Sequence, residues 1–173
     1  MLYNINMVRI IKYFLCIIIC ALVLFILAKA FGSYFSSNSA VAFEWEKQVN
    51  VYFGNKNMGS PENCSRVFPI TRTILNAETF GPGALEALLE GVSDKEKAAG
   101  YFTSLNDEIL LQKFEIKNKV AYIDFNSRFN ENIGGSCRVA SIMSQIENTL
   151  NNLPDIDSVV ISVNGQTEGI LEP

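Results

Sequence analysis

The sequence predicts an α+β fold: a mixed sheet with two main helices on one face, in ββ-αββαβ order, preceded by one N-terminal transmembrane or signal-anchor helix. Three observations predict it. An uncharged apolar run, Tyr13 to Ala28, is bracketed by Lys12 and Lys29. Beyond it, short segments alternate apolar and polar residues with the period of a strand. Between them, two longer segments repeat apolar residues at helical spacing.

The run contains Leu15, Ile17, Ile18, Ile19, Leu22, Val23, Leu24, Phe25, Ile26 and Leu27. With both lysines snorkelling, it approaches the roughly 20 residues that a hydrocarbon core requires. Arg9, Lys12 and the N-terminal amine outnumber Lys29, so the positive-inside rule places residues 1–12 in the cytoplasm, 13–31 in the membrane, and the rest outside. Ala28-Lys29-Ala30 and Ala40-Val41-Ala42 also have the small-x-small form of cleavage sites, so a secreted product of a signal peptide is the alternative. Cys16 and Cys20 lie inside the run and follow Leu15 and Ile19, where acylation signals place a small residue; they read as apolar filler on one helix face. Residues 32–45, rich in Ser and Asn, form a linker, and 46–173 one domain.

Within that domain, Val49, Val51 and Phe53 alternate with Asn50 and Tyr52, giving a strand that stops at the Gly54, Asn57, Gly59, Pro61 cluster. Arg66 to Leu75 reads as a second strand, with Pro69 favouring an edge. Pro82 opens a helix carrying Leu85, Leu88 and Leu89, closed by Gly91. Ser93 and Glu96 have capping-box spacing and start a short helix that ends at Gly100. Ile109 to Lys117 and Val120 to Asn126 are joined so tightly at Asn118 and Lys119 that a hairpin results. The longest helix, Ser136 to Leu153, aligns Val139, Ile142, Met143, Ile146, Leu150 and Leu153 on one stripe, and Pro154 ends it. Ser158 to Val163 is the last strand.

Composition removes several mechanisms. The 173 residues include no His, so there is no Ser-His-Asp or Cys-His pair and no His-ligated metal. The net charge of −4 combines a leader of +3 (Arg9, Lys12, Lys29) with a remainder in which 11 Lys+Arg face 18 Asp+Glu, or −7. A domain this acidic is no general nucleic-acid binder. Asp94, Glu96, Asp107 and Glu108 lack the spacing of a calcium loop, so no metal or cofactor is expected.

The residues also carry a family resemblance. Val49 to Phe53, Val67 to Arg72, Ala84 to Gly91, Glu96 to Thr103, Val120 to Phe125, Gly134 to Cys137 and Val159 to Gly165 together resemble the GerM-type sporulation and spore germination domain, GerMN. The resemblance spans nearly all of residues 48 to 173. It implies a ring-building-motif-like fold and an extracytoplasmic, non-catalytic module. Its implied partners are peptidoglycan or an envelope protein, with a homo-oligomer as a further expectation.

Cys64 and Cys137 fall on the exported side, where a disulfide is expected. Such a bridge would close a long loop worth roughly 4 kcal/mol in the chain-entropy account. The alternatives are a reactive Cys137 thiol at a helix start beside Arg138, or two inert thiols.

Candidate binding residues are Arg72 and Arg66, whose guanidinium groups suit muropeptide carboxylates or an acidic partner. Tyr101 and Thr103, with Phe102 and Ser104, would form an aromatic and hydroxyl shelf for sugars; the alternatives are a structural ion pair at Arg72 and core packing at Tyr101 and Phe102. Ser144, Glu147, Asn148 and Asn151 mark a polar face of the long helix, either solvated or a stacking contact. The enzymatic alternative is a cell-wall hydrolase, or a regulator of one, that uses Asp124 and Glu131 as a carboxylate pair.

Overall fold

The computed structural model describes residues 12, 15, 17–29, 46–59, 62–75 and 80–172. The chain divides into two compact units, residues 1–43 and 44–173. In the first, residues 17–29 are helical, as are Lys12 and Leu15. Their large apolar side chains are exposed. Among the described residues no helix is long and apolar enough to cross a membrane. The expected 13–31 span lies partly outside the described residues; Cys16 and the 32–45 linker lie wholly outside. Cys20 is exposed and carries a free thiol.

In the second unit, β1 (Lys47–Asn55) pairs antiparallel with β2 (Phe68–Ile74), setting Val49 opposite Arg72 and Phe53 opposite Phe68. The period-two pattern buries Val49, Val51 and Phe53. Helix α1 (Phe80–Leu89) buries Gly81, Ala84, Leu85, Ala87 and Leu88. Gly91 follows it at φ +76°, a conformation glycine adopts without a Cβ penalty. Helix α2 (Asp94–Ala98) begins with the complete Ser93/Glu96 capping box. The short strand β3 (Tyr101–Phe102) then pairs antiparallel with Asn55 and Gly54. It lies so close that a Cβ on Gly54 would sit 2.3 Å from the Phe102 ring.

Strands β4 (Leu111–Lys117) and β5 (Val120–Phe125) form the expected hairpin. Asn118 and Lys119 both take positive φ, as a two-residue type I′ turn requires. Helix α3 (Ser136–Asn151) follows, and β6 (Ser158–Val163) runs parallel to β5. The last turn of α3 stops short of Leu153, whose N–H returns to the Leu150 carbonyl.

The strands do not form one mixed sheet. They form two three-stranded sheets, β2-β1-β3 and β4-β5-β6, and only the second is mixed. The reason lies at the edge of β1 that faces away from β2. There β3 reaches only Gly54 and Asn55. At Tyr52 the N–H is taken by the Thr149 hydroxyl of α3, at 3.0 Å. A helix side chain, in place of another strand, ends the first sheet.

Both main helices pack against both sheets, α1 on β1, β2 and β4, and α3 on β1 and β6. The core between them holds Phe53, Leu85, Leu88, Ile123, Phe125, Ile142, Ile146 and Leu150, and Phe125 stacks on Phe129 with ring centroids 4.5 Å apart. Helix α3 buries a second stripe that is polar: Ser141, Gln145 and Thr149, spaced four apart. Ser144, expected on the solvent face, is buried as well; Asn148 and Asn151 are exposed.

Thr149→Val keeps the side-chain shape but leaves the Tyr52 N–H without its acceptor. The protein should lose about 1–3 kcal/mol of stability with an unchanged denaturant slope, measured by urea unfolding.

Candidate functional site

Arg72 lies on β2, half-buried, with its guanidinium engaged within the chain. Nη2 donates to Glu96 Oε2 at 2.8 Å and to the Gly91 carbonyl at 3.2 Å, and Nη1 pairs with Glu96 Oε1. The Phe53 ring lies 5.9 Å from the guanidinium carbon. Glu96 Oε2 also accepts the Ser93 N–H at 2.7 Å, completing the capping box. These contacts tie the start of α2 to β2. The hydrogen bond from Arg72 first, and those from Ser93 after it, hold the Glu96 carboxyl at about 2, below its ordinary 4.5. Arg72 is thus engaged in an ion pair within the chain and is not among the residues lining the two cavities beside Phe102.

Thr103 is also turned inward. Its hydroxyl donates to Gln145 Oε1 at 3.0 Å and accepts the Leu105 N–H. Gln145 Nε2 donates to Ser141 Oγ, which also accepts the Ser104 hydroxyl at 2.8 Å. The hydroxyl half of the expected sugar shelf, half-buried, is therefore hydrogen-bonded to the buried polar stripe of α3. Tyr101 is half-buried in β3; with Thr103, Phe102, Lys56 and Lys97 it lines a cavity of about 370 Å³.

Asp124 and Glu131 are each hydrogen-bonded within a separate turn. Asp124 Oδ1 accepts the Ser162 hydroxyl at 2.6 Å and the Gly165 N–H at 2.8 Å, fixing the turn after β6. Glu131 accepts Arg128 Nη1 at 2.6 Å and the Ser127 hydroxyl at 3.0 Å. Those two donors hold the Glu131 carboxyl below the usual carboxylate range, opposite to what a general acid needs. Each carboxylate serves its own local turn.

Cys64 and Cys137 are joined by a disulfide that spans 73 residues of sequence. It ties the loop before β2 to the first turn of α3, and beside it opens a cavity of about 580 Å³. Lys56, Arg66 and Arg138 line this cavity together with Met58, Phe102 and both cysteines. No Asp or Glu is among its lining residues. Arg66 is exposed and extends past Phe68, with 5.6 Å between guanidinium carbon and ring centroid. Arg138 is fixed by three neutral acceptors: Nε to the Ser104 carbonyl at 3.1 Å, Nη1 to the Asn132 carbonyl at 3.1 Å, and Nη2 to Asn106 Oδ1 at 2.7 Å. Gly135, at φ +83°, is the N-cap of α3 and offers no side-chain cap. Among the described residues, no group of three or more His, Cys, Asp and Glu is arranged to hold a metal.

Of the expected binding residues, Arg66 lines the larger cavity, Tyr101 and Thr103 the smaller, and Arg72 neither. Lys56 and Phe102 border both. Lys56 and Arg138 escape a sequence reading because each stands alone in its segment. The one local signal is that each bridged cysteine has an arginine within two positions, Cys64-Ser65-Arg66 and Cys137-Arg138.

The fold and site define an α+β domain of two three-stranded sheets packed with two main helices, with a bridged loop and a cation-lined cavity. The chain belongs to the Germane family, described as sporulation and spore germination, whose sequence model matches residues 50–169. It is 28% identical over 128 residues to the spore germination protein GerM of Bacillus subtilis (strain 168), covering 72% of this chain and 33% of GerM. The chain thus spans about a third of that relative's length. The fold is shared with the tandem GerMN domains of the sporulation protein GerM from Bacillus subtilis, at TM-score 0.56 and 24% identity, over 76% of this chain and 43% of that one. The first GerMN domain of the same protein gives TM-score 0.52 at 20% identity, over 70% and 85% of the two chains.

The Arg72–Glu96 pair sets a pH dependence. Because folding lowers the Glu96 pKa, its contribution is complete above about 4.5 and is lost as pH falls toward about 2. The two side chains keep 21% and 19% of their surface in water, which limits the contribution to about 1–2 kcal/mol. Unfolding midpoints at pH 5 and pH 2.5 should differ less in Glu96→Gln than in the wild type.

Proposed function

We propose that this protein is a non-catalytic, membrane-tethered module of the cell envelope that acts in sporulation or spore germination by binding peptidoglycan. The observation that carries the reading is the cavity beside the Cys64–Cys137 bridge, which gathers cationic and amide groups and contains no acid for chemistry. The carboxylates suited to hydrolysis support it from the other side, since Asp124 and Glu131 each hold a separate turn. Membership of the sporulation and spore germination family and likeness to GerM support a role in that biology.

Tethering is supported by the leader, whose +3 charge and apolar run from Tyr13 to Ala28 fit an anchor with the acidic domain outside the cytoplasm. A disulfide suits that side of the membrane. Copies of the chain assemble, in this reading, through the exposed outer face of α3 around Asn148 and Asn151.

The test is sedimentation of the detergent-solubilised protein with purified sacculi. The protein should pellet with the wall and release no soluble muropeptides. Muropeptide release that disappears in Asp124→Asn would contradict the non-catalytic reading, and a protein that stays in the supernatant would contradict wall binding.

A further inference from the structure

We infer that the cavity beside the disulfide is an oxyanion site, in which Lys56, Arg66 and Arg138 hold the carboxylate or phosphate groups of a wall polymer. The inference rests on the wall-binding reading above and adds the chemistry of the ligand. In a part of the chain with net charge −7, a cavity lined by three cations and no carboxylate runs against the composition around it. Arg72, Lys97, Lys113, Lys117, Lys119 and Arg128 each lie 2.5–3.6 Å from a carboxylate. Among the described residues, none of the three cavity cations has such a partner. Three like charges around one hollow repel one another, and an anion bound between them adds attractions that offset that repulsion.

The arrangement is also held in advance. Arg138 is fixed by two carbonyls and an amide oxygen, which orient the guanidinium without neutralising it. A charge fixed in this way binds an anion with little further ordering. Arg66 is two residues from Cys64 and Arg138 follows Cys137, so the bridge joins the two walls from which these arginines extend. Helix α3 starts on the same wall with a glycine cap and no acid in its first turn, so its dipole adds to the positive potential. Met58 and Phe102 give the cavity an apolar surface beside the cations. Glu62 lies outside it, in an adjoining groove with Cys64 and Cys137. The volume of about 580 Å³ suits a small molecule or one residue of a polymer. Guanidinium forks match the two oxygens of a carboxylate or of a phosphate, so the shared chemistry is an oxyanion.

The test titrates the detergent-solubilised protein with inorganic phosphate and with N-acetyl-D-Ala-D-Ala, followed by calorimetry. Saturable, salt-sensitive binding of at least one probe is expected. It should weaken by about tenfold or more in the Lys56→Gln/Arg66→Gln double variant, which removes two charge-assisted contacts from exposed side chains. Lys113→Gln/Lys117→Gln removes the same charge on β4 and should leave binding unchanged. Equal weakening by both double variants, or no saturable binding of either probe, would overturn the site. Near-UV circular dichroism checks that each variant keeps its fold.

Sacculi then separate the two sources. Retention on sacculi stripped of phosphate polymers assigns the site to peptide-stem carboxylates; loss on stripping assigns it to polymer phosphates. Wild-type protein that binds the small probes but does not pellet with sacculi keeps the site and overturns wall binding. Wild type and Lys56→Gln/Arg66→Gln pelleting equally overturns the site and keeps wall binding.

Discussion

The hydrogen bond from the Tyr52 N–H to the Thr149 hydroxyl marks the constraint on which the rest of the domain depends. Strand β1 has β2 along one edge and only two residues of β3 along the other. A strand edge left bare inside a core carries unpaired backbone groups at a cost of about 1–3 kcal/mol each. Helix α3 supplies the missing partner. Thr149 takes the Tyr52 amide and returns its own proton to the Gln145 carbonyl, while Gln145 and Ser141 hold the segment at Thr103 and Ser104. One polar stripe therefore ends the first sheet and positions the chain leading from it to the second.

The same stripe aims the start of α3. Ser141 is one helical turn beyond Cys137, and Arg138 reaches the Ser104 carbonyl, whose residue is itself held by Ser141. The cavity wall is thus an extension of the core network, closed from the other side by the disulfide. This coupling explains why the cationic cavity lies where a loop, β3 and α3 converge. None of those elements contains the site alone.

Legibility in the sequence follows from where each signal resides. Alternation in β1, the Asn118-Lys119 turn, the Ser93/Glu96 capping box and the apolar stripe of α3 are local patterns, and all are present in the fold. The division into two sheets is not local: it depends on Thr149 meeting Tyr52 across 97 residues. Ser141, Gln145 and Thr149 carry no local signal of burial, because polar residues usually lie at the surface, and only their partners at Tyr52, Thr103 and Ser104 draw them into the core. Strand β3 is two residues long, too short for any period to register. Arg72 offered a guanidinium for a ligand, and the fold delivered Glu96 to it from 24 residues away. Lys56, Arg66 and Arg138 lie in three separate segments, so their convergence is a property of the fold.

Helix α3 closes the open edge of β1 as an integral part of the core, and native-state hydrogen exchange at the Tyr52 amide is the sharpest probe of that closure. This amide should exchange only through global unfolding, with the same free energy as the amides of the buried residues Val51 and Ile123. Exchange through a local opening, several kcal/mol below the global value and insensitive to denaturant, would contradict it.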